Sequence, residues 1–295
     1  MTGVAVTGAA APSLARDLIM LTKPRIISLL LVTTVAPMFV AGDPSWGLVL
    51  LVTVGGYLMA GGANAVNMYL DRDIDDRMSR TRLRPIPSGR LGASSVLAFG
   101  VALAAAATWL FAFYANLLTA ALALAGFYFY VFVYTRWLKR STPQNIVIGG
   151  AAGAVPPLVG WAAATGNLTL PALWLFLIVF FWTPPHFWAL ALLIRRDYEA
   201  ARVPMLPVVK GEAQTARSIV TYSLVLLGIS LLPFLSNTLG VFYLVSAVAL
   251  GLAFVALAIA LRRHTTPANA RRLFSFSLAY LALLFVAMAL DPILF

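Results

Sequence analysis

Cysteine is absent from this 295-residue chain, and charged residues are scarce. Without cysteine the chain has neither disulfide bonds nor thiolate metal sites. Only 11% of its residues are charged, against about 25% in a typical soluble domain. Polar side chains this few cannot cover a water-exposed globule of this size. The shortage of charge therefore excludes a soluble enzyme, a disordered tail and a fibrous repeat.

What the chain has instead is long apolar runs. Hydrophobic residues make up 61% of the sequence, and the mean hydropathy is +0.91. A membrane-spanning helix needs about 20 predominantly apolar residues, whereas a membrane β-barrel shows short alternating segments. The sequence predicts an all-α integral membrane protein of nine transmembrane helices. Their predicted spans are 26–42, 46–68, 93–113, 116–135, 144–164, 171–194, 216–235, 240–261 and 273–290.

The basic residues are distributed unevenly between the two ends of these spans. The connections after the first, third, fifth and seventh spans contain no Lys or Arg, and all 21 basic residues lie at the other end. The positive-inside rule predicts a cytoplasmic N-terminus, an external C-terminus and a location in the cell membrane. The formal net charge of +11 indicates topology and contact with anionic headgroups rather than nucleic-acid binding.

Two regions are expected along the chain. Residues 1–25 are expected to form a cytoplasmic N-terminal extension. A cleaved signal peptide needs a continuous apolar stretch, and Arg16 and Asp17 interrupt the one in this region. Residues 26–295 form a single transmembrane domain. The external connections are too short to fold independently, so chemistry is expected at the cytoplasmic face or within the helices.

The connection after the second span carries Asn67, Asp71 and Asp75 at a spacing of four. On a helix this spacing places all three side chains on one face, over about 12 Å. Two stacked carboxylates repel each other unless a cation lies between them. Hard oxygen ligands of this kind suit Mg²⁺, which completes its coordination with phosphate oxygens and water. The pattern predicts a magnesium–diphosphate site.

The residues around this face are basic, which fits an anionic substrate. Arg72, Arg77, Arg80 and Arg84 can each bind phosphate oxygens through two parallel hydrogen bonds. The alternative is a charge-rich connection that only sets topology. Acidic residues contribute little to orientation, yet four of the ten acidic residues fall within 71–76. The diphosphate interpretation is therefore favoured.

An ionisable residue, His186, lies inside the sixth predicted span. It is nine residues before Arg195, so about 13 Å from the end of the helix. A group at that depth is a functional candidate. Alternatively, it hydrogen-bonds the carbonyls that Pro184 and Pro185 leave unpaired. Trp182 could line a cavity beside it, although a tryptophan at the bilayer interface would give the same pattern.

Four further residues mark the cytoplasmic ends of spans. Tyr134 and Lys139 close the fourth span, and Lys23 and Arg25 precede the first. Aromatic and basic residues at such positions either anchor the helix in the membrane or reach towards the diphosphate.

Together, the Asn-x₃-Asp-x₃-Asp face and a second acidic loop beginning at Asp197 resemble the UbiA-type intramembrane prenyltransferases. Members of that family hold Mg²⁺ and an isoprenoid diphosphate with two Asp-rich motifs. The resemblance is nearer to the haem-prenylating members, and it extends over most of the chain. It is carried by 22–25, 67–85, 134–140, 153–161, Trp182-Thr-Pro-Pro-His-Phe-Trp188 and 197–211.

The resemblance implies roles for individual residues. The family's second motif commonly has two acids four residues apart, but here Ala201 follows Asp197 at that distance, as in the haem-prenylating members. Asp71, Asp75 and Asp197 are then the catalytic residues, and with Asn67 they are the Mg²⁺ ligands. The implied substrate-binding residues are Asn67, Lys23, Arg25, Arg72, Arg84, Tyr134, Lys139, His186 and Trp182.

The implied reaction is transfer of a farnesyl group from farnesyl diphosphate to a vinyl group of haem B, giving haem O. The implied partners are these two substrates, the lipid bilayer and a downstream haem A synthase. One alternative is a quinone-ring prenyltransferase, which shares the magnesium site but needs no haem contact. A secondary transporter is less favoured, because it predicts acidic residues near the middle of the membrane. A structural subunit of a respiratory complex leaves the oxygen-ligand face unexplained.

Overall fold

A computed structural model of the chain describes residues 13–294; positions 1–12 and 295 lie outside the described residues, and with them the first 12 of the 25 residues of the predicted N-terminal extension. Within 13–294 there are nine helices long and apolar enough to cross a membrane, which confirms the predicted fold class. They are α1 Pro24–Ala41, α2 Trp46–Leu70, α3 Ala93–Tyr114, α4 Leu117–Ser141, α5 Asn145–Thr165, α6 Leu170–Leu193, α7 Gly211–Leu235, α8 Val241–Arg263 and α9 Pro267–Leu294.

The helices differ from the predicted spans mainly by running further at the end of the bundle that carries the Lys and Arg residues, here called the basic end. α4 reaches Ser141, α7 begins at Gly211 and α9 begins at Pro267. Hydropathy locates only the apolar part of a helix, while helical hydrogen bonding continues into the polar headgroup layer. α4 also contains a π-helical segment, Phe129–Leu138, which crosses the predicted end of the span at residue 135. Such wide turns occur often at functional sites.

The nine helices form a closed ring with helices in contact across it. Each helix packs against the next one in sequence, and α9 returns to pack against α1. In addition, α5 packs against α1, and α9 packs against α6. These cross-contacts leave a chamber between α1, α2, α4, α5 and α6.

Glycines allow the helices around this chamber to approach closely. A Cβ on Gly62 of α2 would overlap the Gly100 carbonyl of α3, and a Cβ on Gly160 of α5 would overlap the Thr34 carbonyl of α1. Small residues bring membrane helices together where lipid provides no hydrophobic driving force. These contacts fix α1, α2 and α5, which form three walls of the chamber.

A short helix, Leu14–Thr22, docks the chain before α1 onto the bundle. Asp17 pairs with Arg90 at 2.9 Å, and the Thr22 and Tyr57 hydroxyls lie 2.9 Å apart. The Arg90 guanidinium lowers the pKa of Asp17 below its usual value. Lys23 then adopts a left-handed conformation with φ of 56°. This turn directs the chain into α1. It also directs the Lys23 side chain towards Asn67 of α2.

The predicted orientation is testable because the natural sequence has no cysteine. We expect Asp43→Cys, in the connection between α1 and α2, to react with a membrane-impermeant maleimide in intact cells. Arg263→Cys, at the basic end of α8, should react only after permeabilisation. Both positions are exposed, so unequal labelling reports the side of the membrane. Labelling of Arg263→Cys in intact cells would contradict the prediction.

Candidate active site

The chamber is a cavity of about 420 Å³ that reaches the basic end of the bundle. Charged residues line its upper part, among them Lys23, Arg80, Arg84 and Lys139. Its deeper part is apolar and aromatic, and is lined by Leu30, Met59, Phe111, Phe127, Val155, Val159 and Phe187. The volume lies in the range of about 300–1,000 Å³ that is usual for pockets holding organic ligands.

One wall of the cavity carries Asn67, Asp71 and Asp75, which are 5%, 1% and 2% exposed. α2 ends at Leu70, and a six-residue helix, Arg72–Arg77, follows it. The backbone bonds from Asp71 to Asn67 and from Asp75 to Asp71 continue the helical register between them. The three side chains therefore lie along one face that borders the chamber.

A chain of short polar contacts holds Asn67 and Asp71. The Asn67 amide donates to Asp71 Oδ2 at 2.7 Å, and Lys139 Nζ donates to the same oxygen at 2.5 Å. Lys23 Nζ donates to Asn67 Oδ1 at 3.0 Å. Because the Asn67 oxygen faces a lysine and its nitrogen faces a carboxylate, the orientation of the amide is fixed. Lysines from two other elements thus converge on the end of α2.

Asp75 has its own cation. Arg84 Nη1 lies 2.8 and 2.7 Å from the two carboxylate oxygens of Asp75. The Thr81 hydroxyl donates to the Asp75 carbonyl at 2.9 Å, which folds the proline-rich connection back over the cavity. The predicted repulsion between Asp71 and Asp75 is therefore relieved by separate cationic partners.

The second acidic loop meets the first at the rim. Asp197 is half-buried and accepts a hydrogen bond from the Ser79 hydroxyl at 2.8 Å. Asp197 does not itself line the cavity, but its neighbour Tyr198 does. Burial raises the pKa of Tyr198 to about 12, so this phenol stays protonated. The structure thus brings Asp197 to the same mouth as the first loop, outside the wall that carries Asp71.

The electrostatics of the mouth favour an anion. Removal from water lowers the pKa of Lys23 to about 7, and the positive charges of Arg84 and Lys139 act in the same direction. Asp71 and Asp75 oppose the shift. Positive groups crowded in this way repel one another. A diphosphate placed among them would relieve that repulsion.

The donor set also fits a divalent metal shared with a phosphate. Residues 13–294 contain no group of three or more acidic or histidine side chains able to hold a metal ion by themselves. Mg²⁺, however, usually takes one or two carboxylates and completes its shell with substrate phosphates and water. Asp71 Oδ1 is buried without a hydrogen bond, and the cationic Arg140 Nη2 lies 3.8 Å away from it. A buried acceptor that lacks a hydrogen bond is costly, so this oxygen suits a closer cation.

Besides Asp197, four predicted site residues lie outside the cavity wall. Arg25 is exposed, and Arg72 donates to the Tyr69 carbonyl at 2.8 Å. His186 and Trp182 face α9 instead. The His186 Nδ1 lies 2.6 Å from the Ser277 hydroxyl, so its partner is not a carbonyl freed by the prolines. Its ring is stacked between Trp182 and Phe274, with centroids 4.3 and 4.9 Å away.

Sequence reasoning missed several residues that the structure brings to the site. Tyr130 and Asn64 line the cavity, and the Tyr130 ring stacks on Tyr134 with centroids 5.6 Å apart. Arg140 pairs with Asp73 at 2.7 Å and lowers the pKa of Asp73 to about 2. Asn64 precedes Asn67 by three positions and Tyr130 precedes Tyr134 by four. Helical periodicity applied to the predicted residues was the signal that could have found both.

Comparison with known proteins identifies the family. Residues 29–286 match the model of the UbiA prenyltransferase family. The chain belongs to this family. It is 54% identical over 280 residues to the protoheme IX farnesyltransferase of Symbiobacterium thermophilum, covering 94% of each chain.

Two further relatives carry the same name. Identity is 56% over 286 residues to the Roseiflexus castenholzii protein, covering 96% of this chain and 54% of that one. Identity to the Thermus thermophilus protein is 52% over 278 residues, covering 94% of this chain and 46% of that one. The chain thus spans about half the length of these two relatives.

Solved structures of UbiA-type proteins share the fold. A chain from a structural study of digeranylgeranylglyceryl phosphate synthase superimposes on this chain with a TM-score of 0.74 at 17% sequence identity. The match covers 95% of this chain and 99% of that chain. A UbiA homologue from Archaeoglobus fulgidus bound to GPP and Mg²⁺ superimposes with a TM-score of 0.67 at 14% sequence identity. The match covers 92% of this chain and 99% of that chain.

The pairing of Asp75 predicts a specific cost for removing its cation. We expect Arg84→Ala to destabilise the protein by about 3–5 kcal/mol, because it leaves a buried carboxylate without a partner. The side chains are 18% and 4% exposed for Arg84 and Asp75. Chemical unfolding in detergent, followed by circular dichroism, measures the change.

The matched control is a more exposed ion pair, between the second loop and the start of α7. Arg195 and Glu212 are 36% and 45% exposed, so Arg195→Ala should change the unfolding free energy by no more than about 1 kcal/mol. Equal effects of the two substitutions would show that the burial of Asp75 does not matter.

Proposed function

We propose that this chain transfers a farnesyl group from farnesyl diphosphate to a vinyl group of haem B, giving haem O. The observation that carries the proposal is the meeting of Asp71, Asp75 and several cations at the mouth of a deep apolar cavity. A polar mouth suits a diphosphate, and an apolar chamber suits a prenyl chain. The names of the relatives support haem B as the acceptor.

Magnesium is the proposed cofactor. Asp71 and Asp75, with Asn67 and with Asp197 at the rim, would hold it together with the diphosphate. When bound, Mg²⁺ neutralises the diphosphate and stabilises it as a leaving group. Asp71 Oδ1, which is buried and accepts no hydrogen bond, supports this assignment.

Cationic side chains stabilise the charge that develops on the departing diphosphate. Lys23, Lys139 and Arg84 are already held at the mouth by Asn67, Asp71 and Asp75. Donors fixed before the reaction need no reorganisation when the carbon–oxygen bond breaks. We propose that these three residues donate part of their hydrogen bonding to the diphosphate oxygens when the substrate binds, before the carbon–oxygen bond breaks.

The chamber below protects the allylic cation that bond cleavage forms. Its apolar walls exclude water from the reacting carbon, and aromatic faces such as those of Phe127, Tyr130 and Phe187 stabilise positive charge. The vinyl carbon of haem then attacks the cation. His186 and Trp182 do not line the chamber. If they bind haem, as proposed, the haem must contact the face between α6 and α9.

The active site faces the cytoplasm in this proposal, as the positive-inside rule predicts. The product would pass to a haem A synthase, the expected downstream partner. A transporter is disfavoured because Asp71 and Asp75 lie at one end of the bundle rather than near its middle.

A single assay tests the reaction and its acceptor. We expect purified protein with farnesyl diphosphate and Mg²⁺ to prenylate haem B and not 4-hydroxybenzoate, as measured by mass spectrometry of the products. Asp71→Asn should lower the rate by at least about a hundredfold, because it removes charge that positions the leaving group.

The control for this assay is Asp76→Asn. Asp76 lies on the same short helix, is exposed and does not line the cavity. Its substitution should leave the rate near that of the wild type. Prenylation of 4-hydroxybenzoate instead of haem B would support the quinone-ring alternative, and full activity of Asp71→Asn would contradict the catalytic assignment.

The proposal that the chamber holds the prenyl chain can be tested by filling the chamber with a bulky side chain. Gly153 of α5 lines the chamber, and a Cβ there would meet no atom within 4 Å. We expect Gly153→Phe to fold normally but to lower activity by about a hundredfold, because the prenyl chain can no longer take its reactive position.

Gly228 of α7 offers a matched control, since it is also helical and open but does not line the chamber. Gly228→Phe should retain activity. Equal losses in both variants would indicate a general effect of a bulky residue on the helices.

A further inference from the structure

The proposed reaction needs one water molecule inside a chamber that otherwise excludes water. We infer that Asn64 and Tyr130 hold this water about one helical turn below the diphosphate site. The inference rests on the proposed function, because it concerns the last step of that reaction.

The chemistry of that step defines what the water must do. When the farnesyl carbon–oxygen bond breaks, its electron pair leaves with the diphosphate. The vinyl π pair then forms the new carbon–carbon bond, which leaves a positive charge on the vinyl carbon attached to the porphyrin. A water oxygen donates a lone pair to that carbon, and the water proton passes to the released diphosphate. Without water at this position, the cation loses a proton and forms an alkene.

Asn64 presents an acceptor to the chamber. It is 8% exposed and lines the cavity. Its Nδ2 donates to the Thr22 carbonyl at 2.9 Å, and since a carbonyl can only accept, the orientation of the amide is fixed. Its Oδ1 has no hydrogen-bond partner among residues 13–294. This oxygen is not among the fully buried unpaired atoms of the described residues, so a water in the chamber that Asn64 lines can reach it.

Tyr130 supplies the second contact from α4, which packs beside α2. It lines the chamber, and its ring is held against Tyr134. Its hydroxyl group makes no hydrogen bond to any other residue that the structure describes. A phenol hydroxyl both donates and accepts, so it can orient a water that also donates to a carboxamide oxygen.

The two residues occupy positions of similar depth along their helices. α2 and α4 cross the bundle in the same direction, and Asn67 Nδ2 donates to Thr135 Oγ1 at 3.2 Å, which aligns the two helices at the diphosphate level. Asn64 is three residues deeper than Asn67, or about 4.5 Å. Tyr130 is likewise about one turn deeper than Tyr134. A water between them lies below the leaving group, where the acceptor vinyl must meet the prenyl cation.

The other hydroxyls of the deep chamber are less suited to this task. Thr34 donates to the Leu30 carbonyl and Thr183 to the Val179 carbonyl, each at 2.8 Å. Their hydrogens are bonded within their own helices.

Tyr134 and Tyr198 also line the chamber, and their hydroxyls make no hydrogen bond to another described residue, but Tyr134 is level with the diphosphate site and Tyr198 lies at the mouth. Asn64 and Tyr130 are the pair whose helical positions lie one turn deeper.

Product analysis tests the inference. We expect Asn64→Leu and Tyr130→Phe to go on consuming farnesyl diphosphate and haem B while releasing more of a prenylated haem lighter than haem O by one water. The share of this alkene should rise about tenfold, since each substitution removes one hydrogen bond to the water. Mass spectrometry of the extracted pigments measures the ratio of alcohol to alkene. Tyr130→Phe keeps the ring, so it serves even if Asn64→Leu does not fold.

Tyr57→Phe is the matched control. The Tyr57 hydroxyl lies 2.9 Å from Thr22 Oγ1, so its removal disturbs the residue that anchors Asn64 without changing the chamber wall. The product ratio should stay as in the wild type.

The possible failures are distinguishable. If the wild type forms no prenylated haem, the proposed function is wrong. If it forms haem O and folded Tyr130→Phe gives an unchanged ratio, the water site is wrong while the function stands. Complete loss of turnover in folded Asn64→Leu and Tyr130→Phe would assign both residues to an earlier step and would also overturn the inference.

Discussion

The site depends on opposite charges held together inside the end of a membrane bundle. Asp71 and Asp75 are almost fully buried, and their charges are balanced by Lys139 and Arg84. Buried carboxylates without such partners are strongly destabilising. The cations are supplied by α4 and by the connection after α2, so the pairing also closes the polar mouth over the chamber. The same groups that stabilise the apo fold are those available to a metal and a diphosphate.

Close helix packing makes the chamber possible. Glycine contacts such as that of Gly160 with the Thr34 carbonyl hold α5 against α1, while Gly153 on the same helix leaves open space beside the cavity. Small residues thus serve two purposes along one helix: one turn brings helices together, and another leaves room for a ligand. The resulting chamber is polar at its mouth and apolar below, which suits an amphipathic substrate.

Asn64 and Tyr130 add two polar side chains to the mostly apolar part of the chamber. In the proposed reaction the deep walls exclude water from an allylic cation, yet the product contains an oxygen that comes from water. Two polar side chains one turn below the diphosphate site would allow a single water at a fixed place. A chamber that is dry except at one position can end the reaction in an alcohol rather than an alkene.

The sequence alone determined the spanning helices, the asymmetry of basic residues and the shared face of Asn67, Asp71 and Asp75, because hydropathy, charge and helical spacing are local properties. Only the tertiary structure decided that His186 faces Ser277, that Asp197 lies at the rim with Ser79, and that Tyr130 enters the chamber. The physical reason is that lipid is as apolar as a protein core. Hydrophobic periodicity therefore does not reveal which side of a membrane helix faces inward.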